Sequence, residues 1–451
     1  MPNNQSVHSL DHNDASYEAS VSTLDVSDIP LALYIHIPWC VKKCPYCDFN
    51  SHELPKDTQL SMYDEYVETL LRDASMQQEL AQGRSITSIF IGGGTPSLLP
   101  ITQYQRLFLG LRQIFKFAED IEVTMEANPG TLEHAPFEQY LDVGINRLSI
   151  GVQSFAADKL TTLGRIHNPT QALSAIQAAR AAGFERVNVD LMHGLPQQTM
   201  NEALTDIQMA HDAGATHISW YQLTIEPNTV FYRSQPLLPD EDNLADIEQA
   251  GQALLEQLGY RNYEVSAWAG ALDKPCRHNV NYWQFGDYLA IGAGAHGKVT
   301  VGHTPSPTNA SLPKPLGVKK NLGNDALAAS GIYRFSKSRL PKDYMAKDHM
   351  LKDHTFTNEA LENVQPNAPK MVGWQQIASD ELVSEFMLNA LRLHSGVEWS
   401  LFETRTGLAY SDIAPQVKKL VTRDLLVDSI ERLQPTVLGQ RYLNQILQAF
   451  L

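Results

Sequence analysis

The sequence predicts an α/β protein: a partial (β/α)6 barrel followed by a small winged-helix-like C-terminal domain. Three observations carry this. From Leu31 onward, short β-rich runs are each followed by a helix-like stretch, six times in series, and such alternation implies a parallel sheet. The ends of these runs are polar and glycine-rich, as the mouth of a βα barrel requires and a helix-covered strand end does not. Beyond residue 373 the pattern turns helical, broken by one short hairpin signal.

A chain of 451 residues can bury a large core and divides into more than one unit. Hydrophobic residues make up 43%, ordinary for a globular protein. No apolar run approaches the ~20 residues of a membrane span, and the N-terminus carries no signal-peptide pattern. The expected location is therefore cytoplasmic, where cysteines stay reduced. With 51 acidic against 35 basic residues the net charge is −16, which disfavours nucleic acid or anionic lipid as a partner through the global field.

Residues 1–29 hold five acidic side chains, no Lys or Arg and no hydrophobic periodicity, and read as a disordered extension. The barrel core spans 30–302. Its strand candidates are 31–37, 85–91, 121–126, 147–152, 186–191 and 217–225, and the amphipathic segments between and after them are 62–80, 102–115, 172–182, 200–213 and 243–258. Right-handed crossovers curl such a sheet into a barrel whose chemistry gathers after the strands' C-terminal ends. Residues 303–372 are polar and rich in Pro and Asn, and read as a linker and insertion around Tyr333-Arg334-Phe335. In the domain 373–451, Leu382, Phe386, Met387, Ala390 and Leu391 share one helical face, 425–427 and 433–437 read as a hairpin, and 439–451 as a last helix.

Cys40, Cys44 and Cys47 follow the first strand within eight residues. Three thiolates are too few for a closed tetrahedral zinc site, whereas a 4Fe-4S cluster on three cysteines keeps one iron open to a small molecule. Two competing readings are a zinc site completed by His36 or His52, and three thiols filling a core. Pro45 and the Lys42-Lys43 pair speak for a loop rather than a core. Gly92-Gly93-Gly94-Thr95-Pro96 follows the second strand, where glycines let backbone amides approach a ligand. Glu126, Gln153 and Asp190 end the third, fourth and fifth strands, each a polar side chain at the mouth.

The C-x3-C-x2-C spacing, with Tyr46 before its last cysteine, resembles that of the radical S-adenosylmethionine enzymes, whose open iron is chelated by the cofactor's amino and carboxylate groups. Longer runs, among them 35–40, 92–97, 126–130, 146–155, 163–167, 190–196 and 219–229, resemble the HemN/HemW branch of that superfamily. The resemblance implies a 4Fe-4S cluster on Cys40, Cys44 and Cys47. It implies S-adenosylmethionine contacts from Tyr34, Gly93, Gly94, Thr95, Glu126, Gln153, Arg165 and Asp190, with Phe49 on the adenine side.

Two functions compete within that branch. The oxygen-independent coproporphyrinogen III oxidases, which oxidatively decarboxylate propionate side chains, carry a fourth cysteine where this chain has Phe49. The branch's haem chaperones carry an H-N-x-x-Y-W motif, matched by His278-Asn279-Val280-Asn281-Tyr282-Trp283, which implies haem binding at His278. Cys276 is a second haem ligand or a bystander, and the glycine-flanked His296 could face either ligand. The resemblance favours a haem chaperone serving haem-accepting proteins such as respiratory cytochromes. It leaves peripheral membrane association and a homodimer open. A winged-helix domain often binds DNA, a use that the acidic chain does not support.

Overall fold

The computed structural model describes residues 24–56, 59–130, 135–302, 330–346 and 371–451. Strands β1 (Leu31–Ile37), β2 (Ile86–Gly93), β3 (Phe117–Ala127), β4 (Arg147–Gln153), β5 (Arg186–His193) and β6 (His217–Gln222) pair in parallel, each with the next. Helices Leu60–Met76, Ile101–Ile114, Phe137–Asp142, Pro169–Ala181 and Met200–Asp212 provide crossovers, and Glu241–Gln257 follows β6. Their starts are written locally. Asn168 with Gln171 and Thr199 with Glu202 form capping boxes, and Pro169 sits at a first-turn position that needs no amide donor.

The register assigns two opposite faces to the parallel strands. Tyr34 pairs with Phe90, Phe90 with Thr124, Thr124 with Arg147 and Arg147 with Arg186. One residue pair further along, Glu126 pairs with Ser149, Ser149 with Asn188 and Asn188 with His217. Because side chains alternate, these mostly polar positions share the concave face. Leu33, Ile35, Ile89, Ile91, Val123, Met125, Leu148, Ile150, Val187 and Val189 face the helices and are buried to about 1% exposure or less. The hydrophobic effect thus holds the helices on the outside and leaves a polar lumen.

The sheet is wider than the six strands expected. β7 (Arg261–Glu264) and β8 (Ala267–Ala269) form a hairpin on β6. On the other edge, β9 (Asp287–Ile291) lies parallel to β1, and β10 (His296–Val301), β11 (Gly331–Lys337) and β12 (Met371–Gln376) continue it antiparallel. The described residues thus form a 12-stranded sheet. Two expected boundaries shift accordingly. Part of the expected linker is sheet: Tyr333 and Phe335 of β11 stack on Trp374 of β12, with centroids 5.1 and 5.7 Å away. The rest of that segment, 303–329 and 347–370, lies outside the described residues, as do 1–23 of the expected extension. Residues 24–29 are packed rather than loose. Leu24 and Ile29 are buried, and Arg405 donates to the Asp28 carbonyl at 3.1 Å.

The C-terminal domain packs helices Ser379–Ala390, Trp399–Thr406 and Ala414–Thr422 around Phe386 and Phe402. A short ladder joins Val397–Glu398 to Arg432–Leu433, and Leu426 bridges Pro435. Tyr442 leaves the helical region (φ −115°, ψ 37°) and splits the expected last helix, turning Ile446 and Phe450 into the core. Among the described residues, no helix is long and apolar enough to cross a membrane.

Candidate functional site

The cysteine loop is anchored on three sides. At its start Trp39 is buried against Tyr66 and Tyr63, with ring centroids 4.6 and 5.9 Å away. Within it, the Lys43 ammonium donates to the Phe49 and Ser51 carbonyls at 3.0 and 3.3 Å, closing the loop on itself. On its outer side Pro45 packs on Gly164, where φ is +68° and a Cβ would lie 2.7 Å from the proline ring, so no side chain fits. The Pro45 carbonyl accepts from the Phe231 amide at 3.0 Å. The three cysteines are partly exposed and line a cavity of about 380 Å³ at the C-terminal ends of the strands.

For the zinc alternative, neither candidate fourth ligand is free at Nε2. His36 engages both ring nitrogens, Nδ1 with the Tyr34 hydroxyl and Nε2 with the Asn50 carbonyl, each at 3.0 Å. His52 Nε2 lies 3.3 Å from the Arg339 carbonyl. Among the described residues no three His, Cys, Asp or Glu side chains converge on a single ion, whereas a cubane offers its irons at separate corners. Burial pushes the Cys40 and Cys47 thiols up, and bound iron would deprotonate them. Arg165 stands ready to balance that charge, its Nη1 donating to Cys44 Sγ at 3.6 Å and its Nη2 to the Gly151 carbonyl at 2.6 Å. Three thiols, an adjoining guanidinium and a cavity beside them fit a site-differentiated cluster.

Of the other expected S-adenosylmethionine contacts, all but Tyr34 line the same cavity. Gly93, Gly94 and Thr95 lie on one wall. Their glycines answer to packing as well as to any ligand. Gly93 has φ +113°, and a Cβ there would lie 2.5 Å from the His36 ring. The Gly94 and Thr95 amides donate to the Ile37 and Trp39 carbonyls, both at 2.7 Å. Glu126 Oε2 accepts from the Gly93 amide at 3.2 Å, and burial, with Asp190 close by, pushes its carboxyl up to about 8. Asp190 accepts from Ser149 at 3.0 Å and Asn188 at 2.8 Å, and burial raises its carboxyl also. Gln153 sits at a bulge between β4 and β5 with φ +71°, its Oε1 accepting from the Tyr221 hydroxyl at 2.8 Å. A non-glycine residue held there stores backbone strain of about 1–3 kcal/mol, a feature that clusters at ligand sites.

Phe49 is 61% exposed at the rim. It lines this cavity and a neighbouring one of about 780 Å³, and Gly93 and Glu126 are shared in the same way. Tyr34 lines the second cavity. His278 lines neither. It is 1% exposed on helix Arg277–Trp283, with Nε2 2.8 Å from the Tyr282 hydroxyl, Nδ1 3.3 Å from Ser88 Oγ and its ring stacked on Phe90 at 5.1 Å. Burial lowers its pKa to about 3. The expected haem ligand thus has both nitrogens occupied inside the lumen in this conformation. Cys276 is buried as well, its thiol directed at Glu122 Oε1 at 3.5 Å, and burial pushes it up to about 11.

Several lumen residues escaped the sequence reading. Asn128 bridges Thr95 and Arg165, Tyr221 holds Gln153, and Arg147, 2% exposed, lines the cavity floor with Asn188. The alternation Arg147-Leu148-Ser149-Ile150-Gly151 carried the signal, since every second residue of a parallel strand between helices and a lumen is polar.

Comparison with known proteins matches residues 34–210 to the radical SAM superfamily and residues 377–442 to the HemN C-terminal domain. The haem chaperone HemW of Haemophilus influenzae is 42% identical over 94% of this chain and 98% of its own length. HemW of Escherichia coli is 43% identical over the same shares. Among solved structures, coproporphyrinogen III oxidase (HemN) from Escherichia coli superposes with a TM-score of 0.69 over 94% of this chain and 90% of that one, at 23% identity, a likeness of fold. With its cysteine loop, its lumen and its C-terminal domain all accounted for, this chain belongs to the HemW family of the radical S-adenosylmethionine superfamily.

Proposed function

We propose that this protein is a haem chaperone. It binds haem and passes it to haem-accepting proteins, and its barrel mouth holds a 4Fe-4S cluster on Cys40, Cys44 and Cys47 with S-adenosylmethionine beside it. The observation that carries the reading is the match to relatives named as haem chaperones over 98% of their length at 42% and 43% identity, against 23% for the oxidase. Phe49 supports it, standing where the oxidases have a fourth cysteine.

A cluster and S-adenosylmethionine bound there would supply one-electron chemistry. This chain's own residues orient and shield. Arg165 offsets thiolate charge, and the Gly93–Thr95 wall leaves room for a ligand's polar end. Glu126 and Asp190, set deep in the lumen, accept hydrogen bonds from amino or hydroxyl groups. The acceptors fitting this reading are haem proteins such as respiratory cytochromes, approached from the cytoplasm by peripheral association with the membrane.

The test is a transfer assay. Anaerobically reconstituted protein is loaded with haem, separated from free haem and mixed with an apo-haemoprotein, and the acceptor's spectrum is followed. Transfer faster than from free haem is expected. Turnover of coproporphyrinogen III to protoporphyrinogen IX under reducing conditions would overturn the reading in favour of the oxidase.

A further inference from the structure

We infer that haem sits in the second cavity, against Tyr282 and Tyr288, with His296 as its axial ligand and His278 acting as a positioning residue. The inference rests on the haem-handling reading and concerns where on the chain the haem goes.

The cavity, about 780 Å³, has the size of pockets that hold cofactors, roughly 300–1,000 Å³. Its walls are aromatic where a macrocycle needs flat apolar faces: Tyr34, Phe49, Tyr282 and Tyr288. Tyr282 and Tyr288 are set edge to face, centroids 4.4 Å apart. Two imidazoles line it, and they differ in what they can offer. His36 is occupied at both nitrogens. The His296 ring makes no hydrogen bond to the described residues and is exposed. Partial desolvation at the cavity wall, reinforced by the Arg334 and Arg339 charges, lowers its pKa, and it is the neutral imidazole that binds iron.

His296 is also rigidly placed. It opens β10 and pairs with Ser336 of β11, directly after a turn in which the Gly294 amide donates to the Ser338 carbonyl at 2.9 Å. A ligand on a strand end is held better than one on a free loop. Arg339, exposed on the rim, supplies a cation for a propionate.

The H-N-x-x-Y-W stretch takes on a new meaning here. Tyr282 reaches the cavity, and His278 holds the Tyr282 hydroxyl from behind at 2.8 Å. The motif's histidine therefore acts on haem through the tyrosine. The two cavities share Phe49, Gly93 and Glu126, so haem would lie against the S-adenosylmethionine position and share these residues with it.

The test uses full-length protein carrying its cluster, titrated with ferric haem, with the Soret band, low-spin electron paramagnetic resonance and haem retained through desalting as readouts. His296→Ala is expected to lose the wild-type ligand signature and bind haem about tenfold or more weakly, and added imidazole to restore the wild-type spectrum. His278→Gln is expected to keep the wild-type Soret position while retaining less haem. An unchanged spectrum in His296→Ala, loss without imidazole rescue, or loss of the ligand signature in His278→Gln at unchanged circular dichroism each overturns the assignment. Failure of the wild type to bind haem is a separate result that removes the haem-handling reading itself.

Discussion

His278 Nε2 lies 2.8 Å from the Tyr282 hydroxyl, four residues along the same short helix, while Nδ1 of the same ring lies 3.3 Å from Ser88 Oγ on β2. The backbone amide of His278 donates in addition to Glu122 at 3.2 Å. One imidazole thereby ties the helix to the lumen face of the barrel. His278→Ala is expected to lower stability by about 3 kcal/mol, from a cavity and two unpaired partners. Ser88→Ala should cost about 1 kcal/mol. Denaturant unfolding checks both, and a His278→Ala protein as stable as the wild type would show that the ring is not a structural tie.

For the cluster, the expected outcome is about four irons per chain after anaerobic reconstitution, and loss of the cluster absorbance when Cys40, Cys44 and Cys47 are all replaced by Ser. Cys276→Ser should keep the iron, because Cys276 is buried beside Glu122 and does not line the cavity that the three loop cysteines face. Iron analysis of that single variant is the discriminating measurement.

Glu126→Ala and Asp190→Ala are expected to weaken S-adenosylmethionine binding while iron content stays at the wild-type level. Each carboxyl faces the cavity and would lose one or two hydrogen bonds to the ligand, about 1–3 kcal/mol, or roughly 5- to 150-fold in affinity. Calorimetric titration of both variants, with circular dichroism to confirm folding, decides it. Wild-type affinity in both would remove the lumen from the binding site.

Much of the barrel was legible because its determinants are local. Leu31–Ile37 was bounded correctly by its apolar run, and the helix expected from 200 starts there behind its Thr199 cap, whereas the one expected from 172 starts three residues earlier, at Pro169 behind Asn168. The mouth could be read for the same reason, since strand-end polar residues and the cysteine spacing are short-range patterns. What stayed hidden was long-range. β9 joins β1 through contacts between residues more than two hundred positions apart, and no local period announces that. The direction of His278 depends on Ser88, 190 residues away. A motif gives residue types but not which side of a helix meets which wall.

Asp206 offers a pH test that is free of the ligand site. It lies at 2% exposure on helix Met200–Asp212 and accepts from the Phe155 amide at 2.6 Å. Burial, only partly opposed by that amide and by Ser154, raises its carboxyl from 3.8 to about 7. The sign follows from proton counts. Between pH 3.8 and 7 the folded chain keeps this proton and the unfolded chain releases it, so the contribution to stability is full below pH 3.8 and is lost as pH rises toward 7. Buried neutral histidines act in the opposite sense. His36, His167 and His193 are lowered by burial to about 4, so acid favours the unfolded chain below pH 6.5. Comparing Asp206→Asn with the wild type cancels the histidines. The asparagine can still accept from Phe155 and cannot ionise. Its stability relative to the wild type should rise with pH through this window, by on the order of 3 kcal/mol between pH 4 and pH 7.5. Urea unfolding of both proteins at several pH values measures the difference directly. A gap that stays constant with pH would mean that Asp206 ionises as readily in the folded protein as in the unfolded one.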